Sequence, residues 1–124
     1  MSKVRHPEAI SQRSVILWWA YSHKVLGIPE HLLFSVPNGG YRHPFEAKLL
    51  REEGMRSGVA DLILLVPRGI YHGMALEMKS QEGRLSPEQK EWAAAATSQG
   101  YLCVVAYSTE EAIKFLTDYL RQQS

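Results

Sequence analysis

The chain has 124 residues, 45% hydrophobic and 22% charged, a composition that excludes disorder as the dominant state and leaves room for one domain, residues 1–124, with a real core. No apolar run approaches the roughly 20 residues of a membrane span, and residues 1–11 lack a signal-type apolar stretch. A cytoplasmic protein with no membrane partner is expected. A formal net charge of +1 neither announces a nucleic-acid binder nor excludes one, because binding depends on where the charges lie. The single cysteine, Cys103, rules out an internal disulfide and a thiolate zinc cluster, and its apolar surroundings in residues 101–107 predict a buried structural thiol.

In chain order, the first helix is expected to open at Pro7, whose missing N–H costs nothing at that position. It carries Ile10, Val15, Leu17, Trp18, Tyr21, Val25 and Leu26 and stops at Gly27 before Pro29. Residues 32–36 read as a short strand, ended by the turn Pro37-Asn38-Gly39-Gly40. Pro44 opens a second helix through Phe45, Leu49 and Leu50 that closes near Gly54. Residues 59–66 and 70–79 are the most strand-like runs, separated by Pro67-Arg68-Gly69. Ser86-Pro87-Glu88-Gln89 is a complete helix start, with a serine cap, proline at N1 and glutamine at N3. That helix ends at Gly100. Residues 101–107 form a strand, and Ser108-Thr109-Glu110-Glu111 starts a last helix carrying Ala112, Ile113, Leu116 and Leu120.

The order α, β, α, β, β, α, β, α describes an α/β domain with a small mixed sheet flanked by helices. The strand ending near Lys79, the helix from Ser86 and the strand from Tyr101 form one crossover unit, so those two strands should run parallel.

A hairpin places side chains in a computable way. With its turn centred near Gly69, Asp61 lies directly across from Glu77, the Cβ atoms about 5 Å apart. Lys79, two residues on, projects from the same face. Two carboxylates at this separation repel unless a cation lies between them. Oxygen ligands of this kind suit Mg²⁺ or Mn²⁺, with the Met78 carbonyl as a further donor and Lys79 placed to stabilise charge on a phosphate. Taken alone, Glu-x-Lys on a strand far more often marks a solvated face, by roughly ten to one. Context favours the chemistry: Asp61 interrupts the apolar run Gly58-Val59-Ala60-Asp61-Leu62-Ile63-Leu64-Leu65, and Glu77 and Lys79 follow the apolar Gly73-Met74-Ala75-Leu76. Charges at the edge of buried strands need partners.

The arrangement of Asp61 and Glu77-Met78-Lys79 on a hairpin resembles the PD-(D/E)XK nuclease superfamily. Within it the chain is similar to stand-alone VRR-NUC domains of the phage and bacterial kind. Ser35-Val36-Pro37-Asn38-Gly39-Gly40, Gly54-Met55-Arg56-Ser57-Gly58-Val59-Ala60-Asp61-Leu62, Glu77-Met78-Lys79 and Leu85-Ser86-Pro87-Glu88-Gln89 carry the likeness, which runs from the first helix to about Tyr107. It implies a restriction-endonuclease-like core. Asp61, Glu77 and the Met78 backbone carbonyl become metal ligands, Lys79 the catalytic lysine, Glu8 a carboxylate completing the metal site, and Gln89 a glutamine beside the active site. One departure is visible: Ala60 stands where the superfamily has proline, a residue that shapes backbone rather than chemistry. Glu8 and Gln89 each have a structural reading as well, at a helix N-terminus favoured for acids and at the N3 position of a capping box.

The resemblance also implies a Mg²⁺- or Mn²⁺-dependent DNA endonuclease, selective for structures such as four-way junctions or flaps and acting as a homodimer. The alternatives are a restriction- or repair-like nuclease on duplex or nicked DNA, and a non-catalytic DNA-binding or assembly module of the same fold. Asn38, Gly39 and Gly40 suit close approach of a phosphate, and Arg42, Arg56 and Arg84 suit phosphate contacts. The five histidines show no metal-ligand spacing. Trp18, Trp19 and Trp92 read as core or dimer contacts.

Overall fold

The computed structural model of the chain describes residues 7–37 and 43–124, with side chains from residue 10 onward in the first helix. Helix α1 (Pro7–Leu26) is closed by Gly27, which at φ 78° takes the left-handed conformation that glycine adopts without a Cβ penalty. The Ile28 amide then reaches back to the His23 carbonyl at 3.0 Å, the wide backbone bond of a glycine-stopped helix. A 3₁₀ turn at Glu30–Leu32 leads into strand β1 (Leu33–Ser35). Helix α2 (Pro44–Glu52) follows, its first turn capped by the His43 ring, whose Nδ1 accepts from Phe45 N. Strands β2 (Leu62–Leu64) and β3 (Met74–Met78), helix α3 (Pro87–Ser98), strand β4 (Leu102–Ala106) and helix α4 (Thr109–Leu120) complete the order.

The sheet is mixed and runs β1-β2-β3-β4. The first two pairings are antiparallel and β3 pairs with β4 in parallel, as a strand–helix–strand crossover requires. Side chains alternate across the sheet. Leu33, Leu62, Leu64, Met74, Leu76, Met78 and Ala106 therefore share one face and are buried against Val15 and Trp19 of α1 and Ala112, Leu116, Tyr119 and Leu120 of α4. Two polar groups enter this core with partners. Trp19 Nε1 donates to the Glu30 carbonyl and Tyr119 Oη to the Val66 carbonyl, both at 2.7 Å. The opposite face carries Phe34, Ile63, Ala75, Glu77, Cys103 and Val105 and lies under α3.

Both central strands are shorter than their apolar runs. Residues 59–66 and 70–79 reduce to Leu62–Leu64 and Met74–Met78. At one end the Asp61 side chain, not a strand carbonyl, takes the Met78 amide, while the Asp61 carbonyl accepts from Val36 N at 2.9 Å. At the other end Arg68 and Tyr71 exchange backbone bonds of 3.1 and 2.9 Å. The register of β2 with β3 would have set Arg68 against Ile70, so the hairpin end slips by one residue, as at a bulge.

Helix α3 rides over its face of the sheet on alanines and buries none of its residues fully. Cys103, expected as a buried thiol, and Trp92, expected as a core or dimer contact, are accordingly half-buried along the cavities beneath α3. Trp19 is buried and Trp18 packs at the core margin.

Candidate active site

Among the described residues Glu77 is the buried charged one, 7% exposed, next to the end of β3 on the face toward α3. It opens onto a small cavity of about 100 Å³ whose other walls include Ala60, Ala75, Leu85, Trp92 and Val105. These side chains offer a carboxylate nothing in exchange for its water. Burial therefore pushes the Glu77 carboxyl up from 4.5 to about 7. The negative charge of Asp61 adds to that rise, and the ammonium of Lys79 pulls against it.

The register of β2 with β3 sets Leu62 against Leu76, so Asp61 falls opposite Glu77 one step further along the hairpin. Asp61 leaves the ladder there and accepts the Met78 amide on Oδ2 at 2.8 Å. Its backbone is tied to Val36, its carboxylate to β3. The group is thus held on two sides while it faces Glu77.

Lys79 follows on the same face with its Nζ 3.7 Å from Glu77 Oε2. Its amide donates to the Ala106 carbonyl at 2.9 Å, extending the parallel ladder one residue past β3. The turn closed by Gly83 N on Ser80 O packs over the lysine stem, so close that a Cβ on Gly83 would meet Lys79 Cδ at 3.2 Å. A half-buried ammonium held at both ends of its side chain loses little freedom when it meets an anion.

Gln89 joins a second element to the pair. The capping box is complete: Ser86 Oγ accepts from Gln89 N at 3.1 Å and Gln89 Oε1 accepts from Ser86 N at 2.9 Å. Because the amide oxygen is occupied, the amide nitrogen faces outward and donates to Glu77 Oε2 at 2.9 Å. The structural and the site readings of Gln89 are both satisfied by one side chain.

Residues 5–110 match the VRR-NUC domain family. The chain belongs to that family. A solved structure of a VRR_NUC domain protein superposes with a TM-score of 0.82 at 26% identity, covering 100% of this chain and 94% of the other. Curated proteins give no match. VRR-NUC domains are nuclease domains and generally use divalent metals, and membership of a nuclease family implies DNA as the partner.

In this VRR-NUC chain, the structure brings Asp61, Glu77, Lys79 and Gln89 into one cluster, with the Met78 amide bound to Asp61 and the Met78 side chain in the core. Among the described residues no group of three His, Cys, Asp or Glu side chains gathers. Two carboxylates remain, and they fit a hard cation that keeps water and accepts phosphate oxygens. The Glu8 side chain, and Asn38, Gly39, Gly40 and Arg42, lie outside the described residues. Arg56 and Arg84 are exposed on the two segments leading into the cluster, bonded to backbone carbonyls nearby. No described helix is long and apolar enough to cross a membrane.

Sequence reasoning passed over Gly58, which meets the first turn of α3 from across the site. Its place three residues before Asp61 was the available signal, and the contact itself is tertiary.

Proposed function

We propose that the chain is a divalent-metal-dependent DNA endonuclease, with Asp61 and Glu77 as metal ligands and Lys79 as the catalytic lysine. One observation carries this reading. A buried carboxylate is kept beside a second carboxylate and 3.7 Å from an ammonium, at a cost in desolvation that a structural ion pair would not justify.

Mg²⁺ or Mn²⁺ fits the pair, with the Met78 carbonyl and the Glu8 carboxylate as additional donors. When bound, such an ion polarises the phosphodiester and acidifies water in its shell. The chain's own groups do the rest. Asp61 and Glu77 hold their oxygens in place, the first through the Met78 amide and the second through Gln89. The Lys79 ammonium faces the scissile phosphate, positions the attacking water and stabilises the charge that grows on the phosphate oxygens. Gln89 keeps Glu77 aimed at the ion. Arg56 and Arg84, with Asn38, Gly39, Gly40 and Arg42, contact the flanking phosphates.

The preferred substrate in this reading is branched DNA, a four-way junction or a flap, cut in the cytoplasm by a homodimer of single-domain protomers. Exposed apolar residues along one stripe of α1 support the dimer: Leu17 at 60%, Tyr21 at 80% and Val25 at 89% exposure. Spaced by four, they share a helix face, and two such faces remove apolar surface from water when they meet.

The test is cleavage of labelled linear, nicked, flap and four-way-junction DNA with Mg²⁺ or Mn²⁺, comparing wild type with Lys79→Ala. Cleavage by wild type and a loss of about 10²-fold or more in Lys79→Ala are expected. No cleavage of any substrate by folded, metal-supplied protein sinks the enzyme reading and leaves a DNA-binding module. Full activity in Lys79→Ala sinks the mechanism.

A further inference from the structure

Gly58 lies at φ +85°, a conformation that L side chains rarely adopt. It is buried, and a Cβ built on it would collide with the Glu88 carbonyl oxygen, lie 2.6 Å from the Glu88 carbonyl carbon and 3.0 Å from Gln89 N. The backbone of the segment leading to Asp61 thus rests directly on the peptide that joins the second and third residues of α3. Glycine is required here twice, for its conformation and for the close approach.

The peptide it touches is the one that places Gln89. With its Oε1 committed to Ser86 N, the Gln89 side chain has no freedom to reach for Glu77 on its own account. The 2.9 Å bond from Nε2 to Glu77 Oε2 exists only where the first turn of α3 is seated. Elsewhere α3 lies over the sheet on alanines and the half-buried Trp92, with cavities left beneath it. The contact with Gly58 is backbone on backbone, with no room for a Cβ between the two segments, and it sets the seat of that turn.

The geometry points to Gly58 as a positioning residue of the site: it fixes the start of α3 so that Gln89 holds the Glu77 carboxylate. The kinetic part of this inference rests on the nuclease reading above; the structural part does not.

The test uses Gly58→Ala, Gln89→Ala and the double variant, with Gly27→Ala as a control. Gly27 has a closely matched φ of +78° and nothing within 4 Å of a built Cβ, so its substitution adds the conformational strain without the collision. Gly58→Ala is expected to lower kcat on DNA by about ten- to a hundred-fold with KM within about two-fold, the scale of a misplaced site group. Gln89→Ala should fall similarly, the double variant should fall no further, and Gly27→Ala should cleave like wild type. Independently of cleavage, the Gln89 side-chain amide resonances, assigned by their loss in Gln89→Ala, should move in Gly58→Ala to the position of solvent-exposed glutamines and stay in place in Gly27→Ala.

If wild type cleaves nothing, the nuclease reading fails and the amide resonances still decide the contact. Additive losses in the double variant, or unmoved Gln89 resonances in folded Gly58→Ala, overturn the proposal. Should Gly58→Ala not fold, Gly58→Asn carries the same Cβ at a residue more tolerant of positive φ and takes its place. Failure of both to fold while Gly27→Ala folds assigns Gly58 to the fold alone and also overturns it.

Discussion

Glu77 sets burial against charge. A carboxyl raised from 4.5 to about 7 by burial and by Asp61 keeps its proton in the folded protein while the unfolded chain gives it up. The group's contribution to stability is therefore complete below about pH 4.5 and is lost as pH rises through 7. Replacing it with the neutral isostere removes this loss. Metal-free Glu77→Gln should match wild type in urea unfolding at pH 4 and exceed it at pH 8 by on the order of 3 kcal/mol. An equal difference at both pH values would contradict the account. Asp61, Glu77 and Lys79 were legible as a set because a hairpin and a period of two are enough to place them on one face. The amide that Asp61 takes from Met78 was not, since it depends on Asp61 leaving the ladder.

Helix α3 shows how an element can be legible while its use is hidden. Ser86-Pro87-Glu88-Gln89 predicted the helix start, and the capping box is present. What local sequence does not contain is that the glutamine's spare nitrogen meets a carboxylate twelve residues upstream. Ser86→Ala and Ser108→Ala separate the two functions of a cap. Each removes a hydroxyl that accepts one amide of a helix's first turn, from Gln89 in α3 and from Glu111 in α4. Each is expected to cost about 1 kcal/mol in thermal or urea unfolding. Ser86→Ala should also reduce DNA cleavage, whereas Ser108→Ala should leave it at the wild-type rate. Equal activity in the two variants would confine the α3 cap to helix stability. The strand ends were misjudged for a related reason. Apolar residues continue past the ladder at 59–60 and 65–66, but pairing with β3 ends where the Asp61 side chain takes the Met78 amide on one side and where the Arg68–Tyr71 bridge is offset on the other.

At the scale of the whole molecule, one sheet face is filled by α1 and α4 and the other is only partly roofed by α3. The first face explains most of the core, and Leu76→Ala is the kind of change that would open a cavity in it. The exposed stripe of α1 is the feature that one copy leaves unexplained. Light scattering is expected to give a dimer mass for wild type and a monomer for Leu17→Glu with Val25→Glu, with helix content unchanged by circular dichroism. A monomeric wild type at working concentration would remove the dimer from the proposed function. Trp18, Trp19 and Trp92 divide across this architecture. Trp19 closes the core with its indole N–H satisfied by Glu30, Trp18 lies at the margin beside the stripe, and Trp92 lines the cavity next to Glu77.

By itself, the sequence determined the order of elements, the antiparallel hairpin with its register, the parallel crossover and the gathering of Asp61, Glu77 and Lys79 on one face. Each follows from local signals: caps, turn residues and the period of apolar positions. Tertiary structure decided how deeply Glu77 is buried, which group takes the Met78 amide, and where the first turn of α3 comes to rest. Those depend on packing between elements far apart in the chain, where a backbone contact at Gly58 decides which hydrogen bond Gln89 can make. In the proposed reading Asp61, Glu77 and Lys79 supply the chemistry, and the seat of α3 holds one of them in place.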